Sequence, residues 1–354
     1  MNNSKIFKLK AGKIAKAAAG YAWRYIRRKP LVFNLNLNVT NICNQNCPMC
    51  NAVITGRKGG VSVSLRECVE IYEKLKPYSI ASLTISGGEP SLVKDIPQIL
   101  DFFSDKFPFG VNVNSNLYAN EKTITPFAES ALKNNIRIGT SFDGLSKTAD
   151  KLRGAKNVSQ KVIKNIELVT RLKKDLKSNS TLNMNSVICD QNLDQIPEIL
   201  SISEKFGWTH TLAPWNCFFY QDEKNPDLQT LHYSDKLEKV IALAASKKNI
   251  ACSREFLLSI PKFVKDETDK YCPYLTGIFR TYKIFVDPNG DVSLCSREPI
   301  GNIRQSSLED ILKTEDYRSD LRGYRKCHKC WMACFVEVLL AMPKFYQKRI
   351  VNRY

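Results

Sequence analysis

Apolar and polar residues alternate with a period of two from Phe33 to Val39. Phe33, Leu35, Leu37 and Val39 share one face and asparagines occupy the other, the pattern of a half-buried strand. A helix is predicted over Leu65–Lys76, after Ser64, whose hydroxyl suits an N-cap. The two patterns then take turns. Further strands are predicted over Ala81–Ile85, Gly110–Asn114, Ile136–Ser141, Thr181–Ile188 and Thr209–Ala213. Helices are predicted between them, over Ile96–Phe103, Ile124–Lys133, Val158–Lys173 and Leu193–Phe206. Strand–helix units repeated in this way imply a parallel sheet with right-handed crossovers. Six such strands fit an open doubly wound sheet or a partial barrel, and periodicity alone does not choose.

The pattern changes from about Asp235. A helix over Asp235–Lys247 leads to a segment of spaced cysteines containing Asp287-Pro-Asn-Gly-Asp291. Asn-Gly between apolar runs predicts a hairpin turn. A domain boundary is therefore expected near 250–270, with a core over 31–250 and a small cysteine-rich α+β unit over 251–337. At the start, Phe7, Ala11, Ile14, Ala18, Tyr21 and Tyr25 recur at spacings of four and three among lysines and arginines. Residues 1–30 thus read as a basic amphipathic helix, stopped by Pro30.

Charge placement changes the picture more than composition does. The 354 residues are 43% hydrophobic and 25% charged, as expected of a globular chain with a sizeable core. The net charge is +18. Residues 1–30 carry nine Lys or Arg and no acid; the first acid is Glu67, and after Glu337 come four more cations and no acid. The ends hold most of the excess, so the mildly basic body does not demand a nucleic-acid partner, and no recognised RNA module appears. The ends suit an anionic membrane surface, or equally a helix packed on the body with a solvated basic face. No apolar run is long enough to span a bilayer. A cytoplasmic protein, with possible peripheral contact at the inner membrane face, is expected.

Twelve cysteines raise the question of a disulfide scaffold. The chain is too long to need staples and shows no signal-peptide pattern. The thiols are clustered instead. Cys43-Asn-Gln-Asn-Cys47-Pro-Met-Cys50 places three within eight residues, directly after the first strand. Thiolates are the usual ligands of iron–sulfur clusters. Three can hold three irons of a four-iron cube and leave the fourth open, and an open position marks a catalytic metal. A zinc knuckle would need a fourth ligand nearby, and the nearest further Cys or His is Cys68.

Cys-x3-Cys-x2-Cys at the end of a first strand resembles the signature of the radical S-adenosylmethionine (radical SAM) superfamily. The resemblance spans about residues 33–215. Ser86-Gly87-Gly88-Glu89-Pro90 is similar to the family's Gly-Gly-Glu-Pro motif, which binds the amino group of the methionine moiety. Met49 stands where relatives place an apolar residue near the adenine. Asn114-Ser115-Asn116, Ser141-Phe-Asp143-Gly144 and Arg153-Gly154 resemble further strand-end motifs, and Asn192 lies in a similar loop. The resemblance implies a partial (β/α)6 TIM-like barrel. It also implies a [4Fe–4S] cluster on Cys43, Cys47 and Cys50, with S-adenosylmethionine at the open iron. Met49, Gly87, Gly88, Glu89, Ser115, Ser141, Asp143 and Arg153 become candidate cofactor contacts. Reductive cleavage would yield a 5′-deoxyadenosyl radical that takes hydrogen from a substrate, fed by a reductant such as flavodoxin or ferredoxin.

The second cysteine set resembles the SPASM/twitch extension of such enzymes. Cys272, Cys295, Cys327, Cys330 and Cys334 are the candidate ligands. A full SPASM domain uses about seven cysteines for two clusters, so five imply one auxiliary [4Fe–4S] cluster; a zinc ribbon is the alternative. Cys68, Cys189, Cys217 and Cys252 are expected to be small core residues. The substrate, whether peptide, sugar or lipid-linked, is not written in the sequence. A non-catalytic electron carrier and an RNA-modifying radical methyltransferase are competing readings. A carrier has no need of the Gly-Gly-Glu-Pro loop, and no extra methyl-transfer motif is present.

Overall fold

The computed structural model describes residues 12, 15, 18–24, 26–27, 31–50, 60–215, 230–268, 274, 283–295, 298–324 and 330–340. The alternating strands form β1 (Asn34–Asn38), β2 (Ser82–Ser86), β3 (Val111–Ser115), β4 (Arg137–Ser141), β5 (Leu182–Ile188) and β6 (Thr209–Pro214). Each pairs in parallel with the next. Between them run α1 (Leu65–Leu75), α2 (Ile96–Phe103), α3 (Glu121–Lys133), α4 (Ser146–Arg153), α5 (Val158–Asp175) and α6 (Ile196–Phe206). α7 (Asp235–Ser246) and α8 (Arg254–Val264) follow β6. The spatial order β6-β5-β4-β3-β2-β1 never reverses. A doubly wound sheet reverses at a switch point, whereas a sheet wound in one direction starts a barrel. Here β6 stays at an edge, so the barrel is partial.

Side-chain alternation decides what fills each face. Leu35, Leu37, Leu83, Ile85, Val113 and Ile138 are buried in one core with the apolar stripes of the helices. The opposite face, turned into the barrel, is almost entirely neutral and polar. One register row is Asn36, Thr84, Asn112 and Arg137. The next is Asn114, Gly139, Asn183 and Thr209, then Ser141, Asn185 and Thr211. The amides bond across the strands: Asn34 Nδ2 donates to Ser82 Oγ at 2.8 Å and Asn183 Nδ2 to Thr211 Oγ1 at 3.1 Å. Such groups would be costly in a dry core but suit a lumen that offers partners. The asparagine face of the first strand is therefore the barrel interior.

Local chemistry shifts several boundaries. α3 starts at Glu121, three residues before the expected Ile124, because Asn120 caps it and accepts from Thr123 N at 2.9 Å. The short α4 buries only Ala149 and Leu152 and gave no clear period. α8 is capped by Ser253 and carries Pro261 inside it, a residue that argues against a helix.

The C-terminal region joins the same sheet. β7 (Lys283–Val286) pairs in parallel with β1 on the side away from β2. β8 (Asp291–Ser293) and β9 (Gly301–Asn302) continue antiparallel. The expected turn forms between β7 and β8. Asp287 Oδ1 accepts from Asn289 N and Asp291 N, and Gly290 takes φ +90°, where glycine is favoured. α9 (Leu308–Ile311), α10 (Glu315–Tyr324) and α11 (Ala333–Leu340) complete the described chain. Lys74 on α1 donates to the carbonyls of Ile303 and Arg304, and Arg304 pairs with Glu67.

Most of the basic ends lie outside the described residues. Where described, residues 18–24 are helical. Tyr21 donates to Val32 O at 3.0 Å, and the Arg24 guanidinium lies 4.5 Å over the Tyr78 ring. Trp23 and Ile26 point outward, 54% and 76% exposed. No helix among the described residues is long and apolar enough to cross a membrane.

Candidate functional site

The thiol loop leaves β1 at its C-terminal end, where ligands gather in barrels of this kind. Backbone bonds clamp it from the β2 side: Gly88 N donates to Thr40 O at 2.6 Å and Glu89 N to Ile42 O at 2.8 Å. Both glycines are dictated by this approach. A Cβ on Gly87, at φ +133°, would lie 2.3 Å from Thr40 O; one on Gly88 would lie 2.0 Å from Ile42 O. Gly154, at φ +57°, does the same from the other side, its Cβ position 2.1 Å from Asn46 O. The backbone that the glycines admit is thus the thiol loop itself.

Glu89 is buried and fully engaged. Its Oε1 accepts from Ser115 Oγ at 2.6 Å and Ser91 N at 3.0 Å, and Oε2 accepts from Asn116 N at 2.6 Å. Burial raises its pKa, and these donors pull against the rise. The carboxylate ties the β2 loop to the β3 turn. Asn116 carries the link onward, its Nδ2 reaching Asn44 Oδ1 at 2.8 Å and Cys43 Sγ at 3.7 Å. Asn116 was visible in sequence only as part of an asparagine-rich turn. Its role depends on β3 ending beside β1's loop, which needs the sheet order.

On the far side, Arg153 forms an ion pair with Asp143. Asp143 Oδ1 also accepts from Val187 N at 2.7 Å. The arginine's carbonyl accepts from Cys47 Sγ at 3.4 Å, and its Nη1 lies 4.0 Å from the same sulfur. Burial pushes Asp143 up against the pull of Arg153. Burial, the largest single influence, would lower Arg153, but the Asp143 carboxylate and the Cys47 and Cys50 thiols together outweigh it and the net shift is upward. Burial also raises the Cys47 thiol, with Arg153 opposing. The Arg153 Nε is buried with no hydrogen-bond partner, an unspent donor beside the loop. Asp143 itself is enclosed and reaches the site through the arginine.

Met49 packs with Cys47, Leu152, Cys189 and Trp215 in a small apolar cluster apart from the main core. Cys189 is buried, as expected, but against the thiol loop; burial pushes its pKa up to about 11. Trp215, just after β6, was missed. The signal was available, since residues following strand ends in this fold line the site. Ser141 ends β4, half-buried on the lumen face. Asn192 is wholly buried and donates to the carbonyls of Asp143 and Val187, bracing the β4 and β5 loops.

Of the C-terminal candidates, Cys295 is buried, Cys330 half-buried and Cys334 exposed. Cys272 and Cys327, with Cys217, lie outside the described residues. Cys68 is a core residue. Among the described residues, no three His, Cys, Asp or Glu side chains converge to hold a single metal ion.

Comparison with known proteins agrees with this architecture. Residues 37–201 match the family model described as Radical SAM superfamily, and residues 279–331 match an iron-sulfur cluster-binding domain, SPASM. The sporulation killing factor maturation protein SkfB of Bacillus subtilis is 26% identical over 171 residues, 48% of this chain but only 39% of that protein. A probable GTP 3′,8-cyclase of Methanococcus maripaludis is 24% identical over 302 residues, covering 82% of this chain and 92% of that one. The crystal structure of Streptococcus suis SuiB bound to precursor peptide SuiA superposes with a TM-score of 0.63 at 16% identity. It covers 87% of this chain and 71% of that one. The last likeness establishes the fold.

Proposed function

We propose, for a chain that belongs to the radical SAM superfamily and carries a SPASM extension, that it activates a peptide substrate by hydrogen abstraction. One observation carries the catalytic reading: three thiols sit in a loop held by the Gly87–Gly88 and Gly154 backbones at the mouth of a polar half-barrel. That donor set fits a three-thiolate [4Fe–4S] cluster. When bound, the cluster and S-adenosylmethionine supply a one-electron cleavage of the sulfonium and a 5′-deoxyadenosyl radical.

The chain's own residues bind and orient. Cys43, Cys47 and Cys50 would hold the cluster. Gly87, Gly88 and Glu89 set the loop against β2, and their backbone would hold the methionine ammonium. Glu89 acts mainly by fixing Ser115 and Asn116. Arg153, charged and braced by Asp143, would meet the methionine carboxylate through its unpartnered Nε. Met49, beside Trp215, offers an apolar seat for adenine, and Ser141 a hydroxyl for the ribose. In the C-terminal unit, Cys272, Cys295, Cys327 and Cys330 would supply the auxiliary cluster, with Cys334 a spare or a replacement for one of them.

Anaerobic reconstitution with iron and sulfide, then dithionite and S-adenosylmethionine, should release 5′-deoxyadenosine. Cys47→Ala should reduce it at least a hundredfold. An intact, iron-loaded chain that releases none would sink the reading. The likeness to SuiB, whose structure holds a precursor peptide, supports peptides as the first substrate class to test. The cyclase likeness covers 92% of that protein and favours a nucleotide as the second reading. Extracts from cells grown in deuterated medium distinguish them. Deuterium should enter 5′-deoxyadenosine from the peptide fraction; uptake from added deuterated GTP would favour the second reading.

A further inference from the structure

The enzymatic reading requires one electron from outside, and a stretch of exposed lysines lies beside the thiol loop. Segment 144–166 carries five exposed lysines, Lys147, Lys151, Lys156, Lys161 and Lys164. None has a carboxylate partner among the described residues. The single acid in that stretch, Asp150, is spent on the start of α5, where it accepts from Asn157 N and Val158 N. Lys161 is held rather than waving in solvent: its Nζ donates to Tyr118 Oη at 3.0 Å and lies 4.2 Å over the same ring. The Tyr118 hydroxyl in turn donates to Lys156 O at 2.7 Å.

This face opens onto the thiol loop. The residues lining a cleft of about 420 Å³ include Lys161, Lys164, Tyr118, Asn44 and one acid, Glu121. Asn44 precedes no other group than the loop itself: it follows Cys43 directly, and its Nδ2 donates to Tyr118 O at 2.5 Å. Asn116 Nδ2 spans Asn44 Oδ1 and Cys43 Sγ. The route from Lys161 to a cluster ligand therefore runs through three residues, Tyr118, Asn44 and Asn116. The lysines at this cleft outnumber its one acid, Glu121. They suit the rim of a transient, charge-steered protein encounter.

We propose that Lys156, Lys161 and Lys164 form the docking surface for a small acidic one-electron carrier protein. This rests on the enzymatic reading and adds the place where its electron enters. In the step, one electron leaves the carrier, which is oxidised by one, and enters the cluster, which is reduced by one. No bond forms and no proton is needed. An ordinary solvated lysine face would leave Lys161 free of Tyr118 and would have no reason to adjoin Cys43.

The test uses the full-length, reconstituted chain and two acidic probes, flavodoxin and ferredoxin. Wild-type affinity for a labelled carrier, read by fluorescence anisotropy, should fall steeply between about 50 and about 300 mM salt, over which the Debye length shortens from about 14 to about 6 Å. The Lys156→Glu/Lys161→Glu/Lys164→Glu variant should weaken it by more than about tenfold. Carrier-driven release of 5′-deoxyadenosine should need correspondingly more carrier. Dithionite-driven release should stay within about twofold, which separates this proposal from the enzymatic one. The neutral pair Lys161→Gln/Lys164→Gln, gentler on folding, should weaken binding by about threefold. Unchanged carrier affinity in both variants overturns the proposal. So does a variant that loses binding to single-stranded RNA while keeping its affinity for both carriers.

Discussion

At the scale of single residues, His210 shows what enclosure does to a titratable group. It lies on the apolar face of β6, with Nε2 2.9 Å from Ser186 Oγ. Ser186 donates its own proton to Phe142 O, so Nε2 carries the hydrogen and Nδ1 is left buried without a partner. Burial lowers the pKa from 6.5 to about 4. The unfolded chain therefore binds a proton between these values and the folded chain does not, so stability falls as pH drops from 6.5 toward 4. By pH 5 this costs about 2 kcal/mol. In urea melts of the metal-free chain at pH 7.5 and 5.0, His210→Gln should shrink the loss by about that amount. An equal loss in both proteins would refute the assignment. The thiols and the glycine pair were legible from sequence because their chemistry is local. Asn116 and Trp215 were not, because each acquires meaning only from the strand end beside it.

Elements were readable where a period could build up. The six parallel strands and the longer helices emerged because alternation or amphipathic spacing ran for several residues. α4 escaped because two buried residues make no period, and α8 because Pro261 reads as a breaker. The loop after α4 nonetheless matters most to the site. Gly154 closes α4 in the left-handed region and presses on Asn46 O. Gly154→Ala adds strain of about 1 kcal/mol for the backbone conformation alone, and the collision must also displace the thiol loop. Iron retained per chain after anaerobic reconstitution should fall several-fold, while far-ultraviolet dichroism stays unchanged. Full iron occupancy in this variant would show that the loop's seat does not depend on the contact.

For the whole molecule, the surprise is the seam. The sequence suggests a core and a separate cysteine-rich unit, and nothing in the periodicity of Lys283–Val286 says which strand it joins. It joins β1, so the strand that delivers the thiols has neighbours on both sides. A chain ended at residue 268 would leave β1 as a long bare edge, a template for unwanted pairing. Such a chain should aggregate, seen by light scattering, rather than yield a minimal enzyme; a monodisperse product that still cleaves S-adenosylmethionine would argue otherwise. Being stitched on both flanks also anchors the root of the thiol loop. Whatever breathing admits a substrate and lets a product go must then be borne by the opposite margin of the half-barrel, where, among the described residues, β6 is met on its outer side by a single bridge from His210 to Ile250 and not by a strand.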